Sequence, residues 1–132
     1  MKLSKKFFDE INPFNTELIK VSPVHKVYIE ECGNPSGTPV LFIHGGPGAG
    51  CTASDRRFFD PNFYRVILVD QRGAGRSEPF GEMKDNNTQE LIKDFEKIRK
   101  KLRIKNWLLF GGSWGSTLAL VYAQSHPKVC LG

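Results

Sequence analysis

The sequence predicts an α/β fold with a mostly parallel β-sheet and flanking helices, and two observations lead to that prediction. Short, continuous apolar runs recur along the chain, each bounded by glycine, proline or asparagine, which is typical of strands buried on both faces. An amphipathic stretch with helical spacing separates two of these runs. Strands that alternate with helices favour parallel pairing, because each helix carries the chain back to the same edge of the sheet.

Four segments carry the strand pattern. Residues 24–32 alternate loosely between apolar and polar side chains and end at a turn rich in glycine, asparagine and proline. The segments 39–44 ("PVLFIH"), 65–70 ("RVILVD") and 106–110 ("NWLLF") are continuous apolar runs that are too short for helices. We therefore expect three buried strands and one strand with a looser pattern.

The stretch 88–102 is predicted to be an amphipathic helix. Asn87 is a candidate N-cap, and Glu90 is the acid three residues later that often accompanies such a cap. Basic residues crowd the C-terminal end, where the helix dipole favours positive charge, so we interpret them as helix surface. The apolar positions that recur at helical spacing are Leu91, Ile92, Phe95, Ile98 and Leu102.

Composition limits the class of protein. A chain of 132 residues with 39% hydrophobic and 25% charged content is expected to form one domain, 1–132, and the net charge of +5 is too dispersed to predict nucleic-acid binding. No apolar run reaches the length of a signal core or a membrane span, so we expect a cytoplasmic protein without membrane contact. Three cysteines lack metal-ligand spacing, which predicts free thiols. We expect neither a metal nor a cofactor.

A serine lies where the run 106–110 gives way to a second predicted helix, 114–124. The pentapeptide "GGSWG", 111–115, fits the G-x-S-x-G pattern of a nucleophile elbow. In that turn the serine backbone is strained, and side chains two positions to either side would collide with it. The pattern predicts Ser113 as a nucleophile and the Trp114 backbone amide as a donor to a developing oxyanion. A glycine-rich turn capped by serine explains the pentapeptide alone equally well.

The loop "HGGPG", 44–48, directly follows a predicted strand. An acyl-transfer site needs a second amide aimed at the oxyanion, and elbow architectures take it from such a loop. Gly45 or Gly46 would supply this amide, whereas Pro47 has no N–H and would stiffen the loop. We interpret His44 as a hydrogen-bonding support for the loop and not as a catalytic base.

Three stretches in order closely resemble the proline iminopeptidases of the α/β-hydrolase superfamily: "HGGPGAGC" (44–51), "DQRGAGRS" (70–77) and "FGGSWGSTLALVYAQSHP" (110–127). The likeness runs from about Pro13 to Val129. It implies the N-terminal part of an α/β-hydrolase fold, and an enzyme that releases N-terminal proline from peptides through an acyl-enzyme on Ser113. By matching positions, it implies an oxyanion hole formed by Trp114 with Gly45 or Gly46.

Two further parts of the sequence, 70–77 and Cys51, are interpreted as structural and not catalytic. The stretch 70–77 lacks a chemical signature of its own, so we interpret it as a tight turn in which Arg72 pairs with Asp70. Cys51 follows the 44–48 loop, and we interpret it as an ordinary buried thiol in preference to a group at the mouth of a pocket.

The sequence departs from the family pattern after Ser113. The remaining residues contain no Asp or Glu, although the superfamily order is Ser, then Asp or Glu, then His. His126 would lie about 18 Å away along a helix, too far to accept the Ser113 proton. We therefore expect the triad acid and base, the C-terminal strands and the lid to lie beyond residue 132, and this chain alone to be inactive.

Alternative functions remain open on the sequence. One is a non-catalytic, hydrolase-like protein that binds ligands through the same loops, and another is a different hydrolase such as an esterase or lactonase. We also expect the strand ending at Phe110 to have an uncovered neighbouring position, and an unpaired apolar edge favours self-association.

Overall fold

The computed structural model describes residues 7–46 and 48–132. Its five strands are β1 (Asn15–Lys20), β2 (Lys26–Gly33), β3 (Thr38–Ile43), β4 (Tyr64–Asp70) and β5 (Leu108–Gly111). Its two α-helices are α1 (Thr88–Lys101) and α2 (Trp114–Ser125), and short 3-10 helices span Ala53–Phe58 and Pro127–Val129. The six predicted elements are confirmed to within two residues at each end, whereas β1 was not predicted.

The strands form one sheet in the order β1-β2-β4-β3-β5. Strands β4, β3 and β5 are parallel neighbours, whereas β1 and β2 join through antiparallel pairs. The α/β class and its parallel centre are thus confirmed. Because β3, β4 and β5 run in one direction, the loops that follow them emerge at the same edge of the sheet.

The two faces of the sheet are covered differently. On one face, α1 and α2 pack Phe95, Leu118 and Tyr122 against strand residues such as Leu41 and Ile67. On the other face, the central strands contribute a second apolar cluster that packs against Phe59, next to the first 3-10 helix: Cys32, Val40, Phe42, Val66 and Leu68. Consecutive residues of β3 and β4 are therefore buried on opposite faces, which explains why these two strands show no alternation of apolar and polar side chains.

Helix α1 begins as expected. The Asn87 side-chain oxygen accepts the Glu90 backbone N–H at 3.1 Å, which confirms the predicted cap. Helix α2 ends at His126, whose N–H donates to the Tyr122 carbonyl at 2.8 Å, and Pro127 follows. His126 is therefore the residue at which the helix terminates.

The edge beyond β5 is partly covered, which modifies the expectation of an open neighbouring position. Trp107 and Cys130 form a parallel bridge. Leu109 N–H donates to the Gly132 carbonyl at 2.8 Å, and Leu131 N–H donates to the Trp107 carbonyl at 2.9 Å. Residues 130–132 thus lie alongside β5 as a short parallel extension of the sheet.

Candidate active site

The turn between β5 and α2 holds Ser113 in a rare backbone conformation. Its φ of 56° and ψ of −124° lie in a region that non-glycine residues seldom adopt. A Cβ on Gly111 would overlap the Gly115 carbonyl oxygen, and a Cβ on Gly115 would overlap the Ile43 carbonyl oxygen. Both glycines are therefore sterically required, as the sequence pattern predicts, although the atoms they avoid belong to backbone and not to the serine itself.

The Ser113 side chain is exposed and unengaged. Within the described ranges, no group forms a hydrogen bond with its Oγ. The Ser113 carbonyl, by contrast, accepts the Ser116 hydroxyl at 2.6 Å, which helps to fix the first turn of α2. The hydroxyl is therefore exposed to solvent, whereas the carbonyl of the same residue is hydrogen-bonded to α2.

The loop after β3 contacts this serine. Ile43 pairs with Gly111 at the ends of neighbouring strands, which brings the two following loops together. A Cβ on Gly45 would lie 3.2 Å from the Gly112 carbonyl oxygen and 3.5 Å from the Ser113 Cβ, so the two backbones are in close contact. Gly46 has a φ of 124°, which favours glycine. The stiffening role predicted for Pro47 lies outside the described residues.

Three backbone N–H groups at this contact are available to a ligand. In the part of the chain that the structure describes, Gly45, Gly46 and Trp114 donate no backbone hydrogen bond. The Trp114 amide is free because it begins α2 and has no acceptor one turn earlier. N–H groups without an acceptor therefore occur in both of the loops that meet at the exposed Ser113.

His44 supports the loop, as predicted. Its Nε2 accepts the Gln71 backbone N–H at 3.0 Å, so this nitrogen carries no proton, and its Nδ1 donates to the Gly45 carbonyl at 2.7 Å. Burial lowers the pKa of His44, against a smaller opposing effect of the Gly45 hydrogen bond. Both ring nitrogens are engaged, so His44 has no free lone pair with which to accept a proton from Ser113.

The other two histidines are also engaged away from Ser113. His25 is buried, with Nδ1 2.7 Å from the Ser22 hydroxyl. His126 lies at the opposite end of α2 from the serine, with Nδ1 2.9 Å from the Ser125 hydroxyl. None of the three histidines of the chain hydrogen-bonds to Ser113 in the described structure.

The predicted pairing of Arg72 with Asp70 is wrong. Arg72 instead makes two hydrogen bonds to Asp94 on α1, at 2.6 and 2.8 Å, with both side chains buried. The two-pronged guanidinium matches a carboxylate from the facing helix better than one two residues away on its own chain. The pair fastens the loop after β4 to α1.

Asp70 binds Arg76 and the loop that follows Gly48. Its carboxylate accepts Arg76 Nε at 2.9 Å and the Cys51 backbone N–H at 2.7 Å. Burial alone would raise the pKa of Asp70, but these hydrogen bonds outweigh burial and leave it below its usual value. Arg76 Nη1 also donates to Glu30 Oε2 at 2.9 Å, so this guanidinium links β2, β4 and the loop after Gly48.

Cys51 is half-buried, and its thiol donates to the Val69 carbonyl at 3.4 Å. Burial raises the pKa of this thiol, and the nearby Asp70 adds to the effect. These contacts fit an ordinary structural thiol.

Sequence reasoning missed the role of Gln71, the first residue after β4. Its Nε2 donates to the His44 carbonyl at 2.9 Å, and its Oε1 accepts the Trp114 indole N–H at 3.2 Å. The only available signal was topological: β4 lies beside β3, so a polar residue at its carboxyl end falls next to the 44–48 loop.

A cavity of about 480 Å³ opens beside these groups. Gly48, Gln71 and Trp114 line one side, and Met83 and Leu91 contribute apolar surface elsewhere.

The described residues contain no group of three or more His, Cys, Asp or Glu side chains placed to hold a metal ion. Nor does any helix among them combine the length and apolar character needed to cross a bilayer.

The profile of the alpha/beta hydrolase fold family matches residues 38–132. The chain is 56% identical over 122 residues to the proline iminopeptidase of Arabidopsis thaliana, covering 92% of this chain and 32% of that protein. It is 53% identical over 116 residues to the Neisseria gonorrhoeae proline iminopeptidase, covering 88% of this chain and 37% of that protein. The chain therefore spans about a third of the length of the curated relatives that it matches.

Among solved structures, a proline iminopeptidase-related protein of Thermus thermophilus superposes with a TM-score of 0.75 at 23% identity. The superposition covers 87% of this chain and 41% of that one. At this identity, the likeness supports the fold alone.

Proposed function

Because the chain belongs to the α/β hydrolase fold family, we propose that it supplies the nucleophile and the oxyanion-binding loops of a serine aminopeptidase. The observation that supports this proposal is the contact between the Gly45 loop and the elbow, which brings backbone N–H groups without an acceptor close to an exposed Ser113. The substrate class, peptides with an N-terminal proline, follows from the names of the relatives at 53–56% identity.

In the proposed reaction, Ser113 Oγ attacks the carbonyl carbon of the N-terminal proline residue and loses its proton to a base. The carbonyl oxygen becomes an oxyanion and accepts the N–H groups of Trp114 and of Gly45 or Gly46. Collapse of the tetrahedral intermediate breaks the C–N bond, and the leaving peptide takes up a proton as its new amino terminus. Water then hydrolyses the prolyl ester and releases proline and free Ser113.

We propose that the 132-residue chain alone does not turn over substrate. The Ser113 proton needs an acceptor within hydrogen-bonding distance, and all three histidines are engaged elsewhere. Without a base, the hydroxyl remains a weak nucleophile despite its exposed position.

The test uses the chain and a chimera in which residues 1–132 replace the matching segment of the Neisseria gonorrhoeae relative. We expect the chimera to hydrolyse proline anilide, and Ser113→Ala to lower kcat by about 10⁴-fold or more. Ser125→Ala, at the far end of α2, is the matched serine control and should retain full activity. A fluorophosphonate should label the chimera rapidly and the isolated chain slowly.

Each arm has an outcome that contradicts one claim. Rapid, stoichiometric labelling of the isolated chain at Ser113 would show that a base is present in it. A folded chimera that cleaves no proline anilide would contradict the aminopeptidase proposal and favour a non-catalytic binding protein. Preference of the chimera for esters or lactones over proline anilide would instead indicate a different hydrolase.

A further inference from the structure

Gln71 connects the two loops that carry the oxyanion donors. Its side-chain amide lies between the His44 carbonyl, 2.9 Å from Nε2, and the Trp114 indole N–H, 3.2 Å from Oε1. Its backbone N–H donates to His44 Nε2 at 3.0 Å. The two bonds to His44 hold the start of the 44–48 loop, and the bond to the Trp114 indole holds the first residue of α2.

The chemistry of the two partners fixes the orientation of this amide. The His44 carbonyl is only an acceptor, and the Trp114 indole N–H is only a donor. A rotated amide would place two acceptors together at one end and two donors at the other. The bond from Gln71 to the His44 carbonyl is buried, so water is not a ready replacement for that bond. The bridge therefore has one arrangement that satisfies all four groups.

Stabilisation of an oxyanion requires the two loops that carry the donors to be held at a fixed separation. The proposed donors come from two elements that are far apart in sequence: Gly45 or Gly46 after β3, and Trp114 at the start of α2. Catalytic donors must be held to within about 0.5 Å of their productive positions. Backbone contact between Gly45 and Gly112 limits how closely the loops approach but does not prevent them from separating.

We infer that Gln71 is a positioning residue that sets the distance between the two oxyanion donors by bridging the His44 carbonyl and the Trp114 indole. This inference rests on the proposed function. Gln71 does not touch the reacting atoms; it acts through His44 and Trp114. Loss of the bridge widens the oxyanion hole and weakens the binding of the transition state more than that of the substrate.

The first measurement is kinetic and uses the chimera. Gln71→Met keeps the length of the side chain but removes both hydrogen bonds, and we expect kcat to fall about 10- to 100-fold with KM changed less than about 3-fold. Trp114→Phe keeps the backbone donor and removes the indole N–H together with the pyrrole ring that carries it, and we expect a loss in kcat at least as large. The double variant should lose little more than the worse single variant, because both changes break one bridge. Gln124→Met, at an exposed position on α2, is the matched control and should leave kcat unchanged.

The second measurement reads the bridge without catalysis. In ¹H–¹⁵N spectra of the 132-residue chain, Gln71→Met should shift the Trp114 indole N–H and speed its exchange with solvent. The Trp107 indole N–H, which donates to Tyr122 Oη at 3.2 Å, is an internal control and should not change. If Gln71→Met unfolds the protein, both indole signals will move, and Trp114→Phe then carries the kinetic test.

The outcomes separate this inference from the proposed function. A folded wild-type chimera without turnover contradicts the proposed function, while the indole signals still report on the bridge. An active chimera in which Gln71→Met or Trp114→Phe retains full kcat overturns the inference. An unchanged Trp114 indole signal in folded Gln71→Met protein also overturns it, and additive losses in the double variant would show that the two residues act separately.

Discussion

The Ile43 carbonyl oxygen, at the end of β3, occupies the space that a Cβ on Gly115 would need. The elbow glycine is thus required by a neighbouring strand and not only by the turn that contains it. The same contact brings α2 against the sheet and places Ser113 next to the loop that follows β3. Packing and the geometry of the candidate site therefore depend on one small residue.

Replacement of this glycine should be costly. Gly115→Ala should destabilise the fold by more than about 2 kcal/mol, because neither the strand carbonyl nor the helix backbone has room to move, and this exceeds the gain of about 1 kcal/mol in helix propensity. Gly112→Ala is the matched control: a Cβ there meets nothing within 4 Å, and the change should stay within about 0.5 kcal/mol. Urea unfolding of both variants measures the difference, and equal stabilities would contradict the packing argument.

The buried Arg72–Asp94 pair should be more important for stability than any surface pair. Asp94→Asn should cost about 3 kcal/mol, because it leaves a buried guanidinium with only the more exposed Glu90 carboxylate, 3.7 Å away, as counter-charge. Lys93→Met breaks the exposed pair with Glu90 and should change stability by less than about 0.5 kcal/mol. Thermal and urea unfolding provide the comparison. A small effect of Asp94→Asn would show that solvent reaches this pair.

The neutral state of His44 predicts a dependence of stability on pH. Burial lowers its pKa in the folded protein, so the unfolded chain binds a proton more readily. His44 contributes fully to the free energy of unfolding above its pKa in the unfolded chain, about 6.5. This contribution is lost as pH falls from that value through the lower pKa of the folded protein. Protonation of Nε2 would also break its hydrogen bond with the Gln71 N–H.

NMR titration of the His44 ring, assigned with a His44→Asn variant, tests this prediction. The midpoint should lie below about 6.5. A midpoint at or above that value would contradict the assignment of Nε2 as an acceptor from the Gln71 backbone.

The parallel centre of the fold was predictable because burial on both faces of β3 and β4 produces continuous apolar runs. The expectation that 106–110 is also a buried strand is wrong, because β5 lies near the edge of the sheet, is only partly buried and exposes Phe110. β1 was not predicted, since it is an edge strand of mixed polarity in which only Ile19 is buried. The elbow was predictable because the turn itself favours glycine at 111 and 115, although the contact of Gly115 with the Ile43 carbonyl on β3 was not visible in the sequence. The partner of Arg72 was not, because proximity in sequence favoured Asp70, whereas the facing carboxylate of Asp94 lies on α1. The contacts of Gln71 likewise depend on which strands become neighbours.

The surface around β5 should make the 132-residue chain associate with itself. Leu120 on α2 is 67% exposed beside an apolar cavity of about 300 Å³, and Phe110 is 42% exposed beside a second of about 290 Å³ on the other face. Residues 130–132 cover only part of this edge, and contiguous exposed apolar surface favours association.

We expect sedimentation velocity to show concentration-dependent oligomers that Leu120→Glu reduces. Phe80→Glu, which replaces a 75% exposed side chain in the loop after β4, is the control and should leave the oligomers in place. A monodisperse wild-type monomer with a sharp cooperative melt would show that the chain buries enough of its own apolar surface to remain monomeric.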